Sequence, residues 1–312
     1  MTVAYISHPD CLLHDMGSGH PEQPARLRAV HQRLVESGLL ARMQQREAPL
    51  ATDAQLRLAH PESYLRRLQA CSPGRGLYPL DADTHMNPHS LKAARRAVGA
   101  ALLGVDLLLR NEASAAFCAV RPPGHHAERQ RAMGFCLFSS IAIAALYALE
   151  HWGLHRVAIV DFDVHHGNGT EDVVAGDERI LFCSTFQHPL YPYSGTGPAA
   201  PNVINVPLPG GCDGQRFRAA MLEQCLPRLA TFAPELVLIS AGFDAHRADP
   251  LAGMALEAPD FGWVTARLAE QAGLSADGRI LSCLEGGYDL EALASSVQTH
   301  LETLLAAGTA PL

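Results

Sequence analysis

Apolar positions along the chain follow two different periods. Between residues 22 and 37 (EQPARLRAVHQRLVES), Leu27, Val30, Leu34 and Val35 recur at helical spacing, which predicts an amphipathic helix. A second, Ala/Leu-rich helix is predicted over 91–110. From about residue 115 short continuous apolar runs take over. AAFCAV (115–120), RVAIVDF (156–162), RILFCSTF (179–186), ELVLIS (235–240) and RILSCL (279–284) read as strands. Helices are predicted at 139–151, 214–230, 260–272 and 289–306. Strands that lack polar alternation and are separated by helices indicate an α/β fold, with a parallel sheet covered on both faces.

Each of these strands runs into a polar, glycine-containing segment: VRPPGHHAE, DFDVHHGNGT, STFQHPLYPYSGTG, SAGFDAHRADPL and LEGGYDL, in chain order. Ligands of open α/β sheets bind outside the carboxyl ends of the strands. Five separated segments are therefore expected to converge on one edge. Loops near 72–90 and 187–201 are expected to shape the entrance.

Composition narrows the function classes. With 312 residues, 48% hydrophobic and 18% charged, the chain can bury a large core. A net charge of −8 offers no general field for nucleic acid or an anionic membrane. No run of about 18 uncharged apolar residues predicts a transmembrane helix. The N-terminus, MTVAYISHPDCLLHDMG, lacks the basic and apolar regions of a secretory signal. The eight cysteines include no C-x-x-C pair and most lie in apolar runs, so reduced, buried thiols in a cytoplasmic protein are expected.

The histidines and aspartates carry the chemistry. Asp161, Asp163 and His165 alternate at a strand end, so they can share a face. A carboxylate and an imidazole two residues apart are a reasonable pair of metal ligands, and Asp244 at another strand end is the natural third. Any one of these aspartates reads as well as a helix cap. The whole set reads as a metal site, and zinc, iron(II), manganese and cobalt all suit its ligands. Pro-Pro-Gly presents His125 and His126, either of which can move a proton beside a metal. Tyr288 follows two glycines, where its phenol can donate to a developing oxyanion.

RPPGHHA, GFCLFSSIAIA, DFDVHHGNGT, SAGFDAHRADPL and LEGGYDL resemble, in order, the motif series of the histone deacetylase family. HPEQPARL, LAHPESYL and LDADTHMNPHSLKAA resemble its class II branch and bacterial amidohydrolase relatives. The resemblance runs over nearly the whole chain. It implies a single deacetylase domain over 1–312 with the three-layer arginase/deacetylase α/β fold and a parallel eight-stranded sheet. It implies one Zn2+ per chain, held by Asp163, His165 and Asp244, and removal of an acyl group from an amine, typically acetyl from lysine. His125 and His126 match the catalytic pair, Asp161 and Asn168 their orienting partners, and Tyr288 the transition-state tyrosine. His126 is then the general base and acid, with His125 in electrostatic support. Phe135 and Tyr191, with Gly134, match the walls of an acyl-lysine tunnel, and Asp83 a rim carboxylate. Asp161, Asp163, His165 and Ser184 match a potassium site.

Three other readings stay in view. Acetylpolyamines or small amides are alternative substrates, although the position of an acidic polyamine gatekeeper is occupied by Leu251. A binuclear manganese ureohydrolase would need a second carboxylate beyond the histidines, in a D-x-H-x-D pattern. A non-catalytic acyl-ligand binder would need a broken site. The expected partner is an acylated lysine peptide or amine, with a homo-oligomer left open.

Overall fold

All five predicted apolar runs form strands in the computed structural model, which describes residues 2–307. In chain order the strands are β1 (Val3–Ser7), β2 (Gln44–Glu47), β3 (Tyr78–Pro79), β4 (His85–Met86), β5 (Ala115–Cys118), β6 (Val157–Asp161), β7 (Ile180–Gln187), β8 (Val203–Leu208), β9 (Leu236–Ala241) and β10 (Ile280–Leu284). Eight of them make one sheet in the order β2-β1-β5-β10-β9-β6-β7-β8, with every neighbouring pair parallel. β3 and β4 form a small antiparallel pair apart from it. The sheet with its surrounding helices is the α/β architecture expected. Every residue of β5, β6, β9 and β10 is buried, which is why these strands carry no polar alternation.

Three sheet strands are absent from the apolar-run reading. β2 is the polar edge QQRE, with three of its four residues exposed. β8, the other edge, is VINVPL and mixes buried with exposed positions; Pro207 is tolerable there because an edge need not donate every ladder hydrogen bond. β1 (VAYIS) is buried in four of its five positions and is as apolar as the five runs read as strands, so nothing structural sets it apart from them.

The predicted helices form at Ala25–Glu36, Ser90–Leu109, Ser140–Trp152, Ala258–Ser275 and Leu290–Ala307. In the first, Leu27, Val30 and Leu34 face the core, but Val35 is 54% exposed, lying off that stripe. The helix expected over 214–230 is divided into Gly214–Ala220, a π-helical turn at Met221–Cys225, and Leu226–Phe232. Pro227 accounts for the break, since it has no amide hydrogen and its ring crowds the preceding turn. Among the described residues no helix is long and apolar enough to cross a membrane.

The sheet register fixes what meets at the carboxyl edge. Asp161, the last residue of β6, lies beside Ser184 of β7 and Ser240 of β9. The segments after β5, β6, β9 and β10 leave the sheet at this edge.

Candidate active site

β6 ends at Asp161, so Asp163 and His165 lie beyond the strand rather than on its pleat. Local hydrogen bonds aim them instead. Asp163 N donates to Asp161 Oδ1 (3.1 Å), and His165 N donates to Asp163 Oδ1 (2.9 Å). The intervening Phe162 and Val164 are buried in the core. Asp244 arrives from the β9 end, where its Oδ1 accepts from Val164 N (2.9 Å). Gly286 N, just past β10, donates to Asp163 Oδ2 (2.8 Å).

Together Asp163, His165 and Asp244 offer three ligand atoms within 4.8 Å of one another, all buried. His165 Nδ1 lies 3.0 Å from Asp163 Oδ1 and 3.2 Å from Asp244 Oδ2. Asp244 Oδ2 is buried without an aligned hydrogen-bond donor. Burial opposes charge on His165, yet Asp163 and Asp244 overcome it and push the imidazole up to about 10. Two buried carboxylates, one with an oxygen that no aligned donor reaches among the described residues, crowd around one imidazole and are short of positive charge. The residues present therefore fit a divalent cation. Gly286 is required here: a Cβ on it would lie 1.8 Å from Asp244 Oδ2 and 2.6 Å from Asp163 Oδ2.

The two adjacent histidines have different partners. His125 Nδ1 lies 2.9 Å from Asp161 Oδ2. Burial opposes its protonation, but Asp163 and Asp161 outweigh that and hold its pKa well above the usual range. His126 Nδ1 lies 2.7 Å from Asn168 Oδ1, and Asn168 Nδ2 donates to Glu128 Oε1 (2.9 Å). That second bond fixes the amide orientation, so His126 carries its hydrogen on Nδ1 and keeps a lone pair on Nε2. Burial, then the positive fields of His125 and His165, drive His126 well below the usual range.

A cavity of about 200 Å³ opens onto this group, lined by Asp83, His126, Gly134, Phe135, His165, Leu190, Tyr191, Leu251 and Tyr288. Phe135 reaches it from a tight turn. Met133 and Cys136 bridge, and Gly134 (φ +54°) and Phe135 (φ +69°) between them both take left-handed backbone, as in a type I′ turn. A Cβ at Gly134 would lie 2.3 Å from His126 Cδ2. Tyr191 stands edge-on to His126 at 5.3 Å, and Tyr288 edge-on to Phe135 at 5.9 Å. Burial holds the Tyr288 phenol far above its usual pKa, so it stays a donor. Half-buried Asp83 sits beside Asp81, and its carboxyl is raised by burial and by that neighbour. Ser184 lies outside the cavity, buried, and among the described residues its Oγ has no hydrogen-bond partner. A larger open depression of about 580 Å³, around Asp213, Arg218 and Arg247, lies apart from these groups. Its arginines are already paired with Asp260 and Glu257.

The sequence reading missed the charges behind the site. Glu22, Arg26 and Arg121 are fully buried. Glu22 pairs with both arginines and lies 3.3 Å from His14 Nε2. Arg26 Nε donates to Gly287 O (2.6 Å), its Nη2 to Glu285 O, and its guanidinium lies 4.9 Å from the Tyr288 ring centre. Asp249 accepts from Tyr288 N (2.7 Å) and Leu251 N (3.0 Å), joining two walls of the cavity. Burial, with Asp244 nearby, pushes the Asp249 carboxyl up to about 7. Glu285 is also buried and pushed up to about 7. The i, i+4 spacing of Glu22 and Arg26 was the one visible hint.

Comparison with known proteins bears on the family and the fold. The histone deacetylase domain model matches residues 20–304. A protein of Synechocystis sp., slr0245, is 45% identical over 97% of this chain and 99% of its own length. A histone deacetylase-like amidohydrolase of Pseudomonas aeruginosa is 39% identical over 87% of this chain and 73% of its own. Among solved structures, the HDA15 HD domain superposes with a TM-score of 0.92 at 32% identity, covering 100% of this chain and 90% of that one.

Proposed function

Since this chain belongs to the histone deacetylase family, we propose that it is a zinc-dependent deacylase that hydrolyses the amide of an acylated amine, foremost acetyl-lysine in peptides or proteins. Residues 1–312 act as one deacetylase domain in the cytoplasm. The observation that carries the reading is the convergence of a three-ligand centre, a histidine with a free Nε2 and a buried phenol on one narrow cavity.

Asp163, His165 and Asp244 would hold one zinc ion, which would supply Lewis acidity and activate water. His126 takes the proton at Nε2 and returns it to the leaving nitrogen, because Asn168 fixes its tautomer without adding charge. His125, held by Asp161, supplies electrostatic support to the negative charge that develops. Tyr288 donates its phenolic hydrogen to the acyl oxygen as that becomes an oxyanion. Phe135, Tyr191 and Gly134 sheath the aliphatic stem and exclude water, with Leu251 as the apolar fourth side and Asp83 at the rim. Potassium would be held by Asp161, backbone groups of Asp163 and His165, and Ser184; the Ser184 Oγ beside Asp161, without a hydrogen-bond partner among the described residues, supports it.

A polyamine substrate is the second reading, and apolar Leu251 in the wall weighs against it. A binuclear ureohydrolase is disfavoured, because the described residues contain a single three-residue cluster with ligand spacing. The test is turnover of a fluorogenic acetyl-lysine peptide, with and without a chelator, alongside metal analysis. Chelator-sensitive turnover with one metal per chain is expected. A protein with stoichiometric zinc that turns over no acyl-lysine, acyl-polyamine or small amide would refute the reading.

A further inference from the structure

The Gly124-His125-His126 turn carries two backbone N–H groups that its own segment does not satisfy. Both point at one side chain. Glu285 Oε2 accepts from Gly124 N (2.7 Å) and from His125 N (3.1 Å), while among the described residues Oε1 meets no donor. Glu285 is 1% exposed and comes from the β10 end, 161 residues beyond Gly124. Its own backbone is held twice, by Glu285 N donating to Ala241 O (3.0 Å) and by Arg26 donating to Glu285 O. The next residue, Gly286, donates to Asp163 Oδ2, and Tyr288 follows two positions later.

We propose that Glu285 is a positioning residue that sets the catalytic histidine turn against the metal ligands and the tyrosine. The inference rests on the reading of His125 and His126 as the catalytic pair. Four consecutive residues then hold three parts of the site: Glu285 the histidine turn, Gly286 a metal ligand, and Tyr288 the oxyanion donor. The carboxylate replaces the backbone partners that two adjacent buried N–H groups would otherwise need. Its length matters, because the acceptor oxygen must reach across from a neighbouring strand end. Its charge matters less, since one oxygen accepts both bonds and a side-chain amide offers an oxygen at the same reach.

The experiment compares kcat and KM of the zinc-loaded wild type with those of E285Q, E285D and E285A. Melting temperature and metal content are recorded for each. E285Q is expected to keep kcat within about fivefold, a neutral acceptor replacing a charge-assisted one. E285D keeps the charge but withdraws the oxygen, and is expected to lose kcat by about 100-fold with KM nearly unchanged. E285A behaves like E285D or worse. Wild-type kcat in E285D, or an E285Q as impaired as E285A, would overturn the proposal. So would a kcat loss that merely follows lost metal or a lost fold. A wild type without turnover is a different result, and refutes the catalytic reading itself.

Discussion

Asn168 faces His126 with its oxygen and Glu128 with its nitrogen, at 2.7 Å and 2.9 Å. The amide is thus clamped between an imidazole and a carboxylate. Replacing it with aspartate puts two carboxylates side by side. N168D is expected to lower kcat/KM by at least about tenfold, since one carboxyl must take a proton and the ring loses its fixed partner. Adding E128Q removes that repulsion and leaves a charge behind His126, which raises its proton affinity. The double variant should recover activity, with the acid limb of kcat/KM moved up by about one pH unit. The pH–rate profiles of the two variants decide it; an N168D profile identical to wild type would contradict the tautomer argument.

Tyr288→Phe removes only the phenolic oxygen and keeps the ring against Phe135 and Arg26. A fall in kcat of about 10²- to 10³-fold is expected, as for loss of an oxyanion donor. Metal content should be unchanged. Steady-state kinetics with metal analysis make the comparison, and a kcat within threefold of wild type would remove Tyr288 from the mechanism.

Gly286→Ala drives a methyl into two ligands, 1.8 Å from Asp244 Oδ2 and 2.6 Å from Asp163 Oδ2. Zinc affinity is expected to weaken by at least about 10- to 100-fold, the range seen when the support of metal ligands is disturbed. Gly197→Ala, with no atom within 4 Å of its Cβ, serves as the control. Competition with a chromogenic chelator measures both.

Two buried histidines outside the candidate metal ligands are expected to make the fold acid-sensitive. Burial holds His60 at about 4 and His300 at about 3, against 6.5 for a free imidazole. Below pH 6.5 the unfolded chain takes up these protons and the folded one does not. Stability is therefore lost as pH falls, at about 1.4 kcal/mol per pH unit for each histidine. His60 Nε2 accepts from Ser139 N (3.0 Å), a bond a glutamine oxygen can replace. H60Q should flatten the decline between pH 6.5 and 4 by about one proton, worth about 3 kcal/mol at the lower limit. Urea unfolding midpoints across this range test it.

What the sequence made legible follows from burial. β5, β6, β9 and β10 stand out because both of their faces are covered, so they read as unbroken apolar runs. β2 was invisible because an exposed edge strand needs no apolar residue, and QQRE has none. The cluster of Asp163, His165 and Asp244 was readable because strand ends of a parallel sheet must converge. Glu22, Arg26, Arg121 and Glu285 were not. A buried charge has the same letter as a solvated one, and its partners here lie as far as 261 residues away in the chain.

That separation bears on synthesis. Arg26 is made well before the carbonyls it holds, at Glu285 and Gly287, which follow it by 259 and 261 residues. At about 5–20 residues per second, a ribosome takes roughly 13–50 s to cover the distance. Through that interval Arg26 lacks its acceptors and the tyrosine-bearing strand end does not exist. The nascent chain can pair its earlier strands while translation continues, yet the candidate site closes only when β10 docks between β5 and β9. A product truncated before β10 would lack the strand that joins β5 to β9, and with it Glu285, Gly286 and Tyr288.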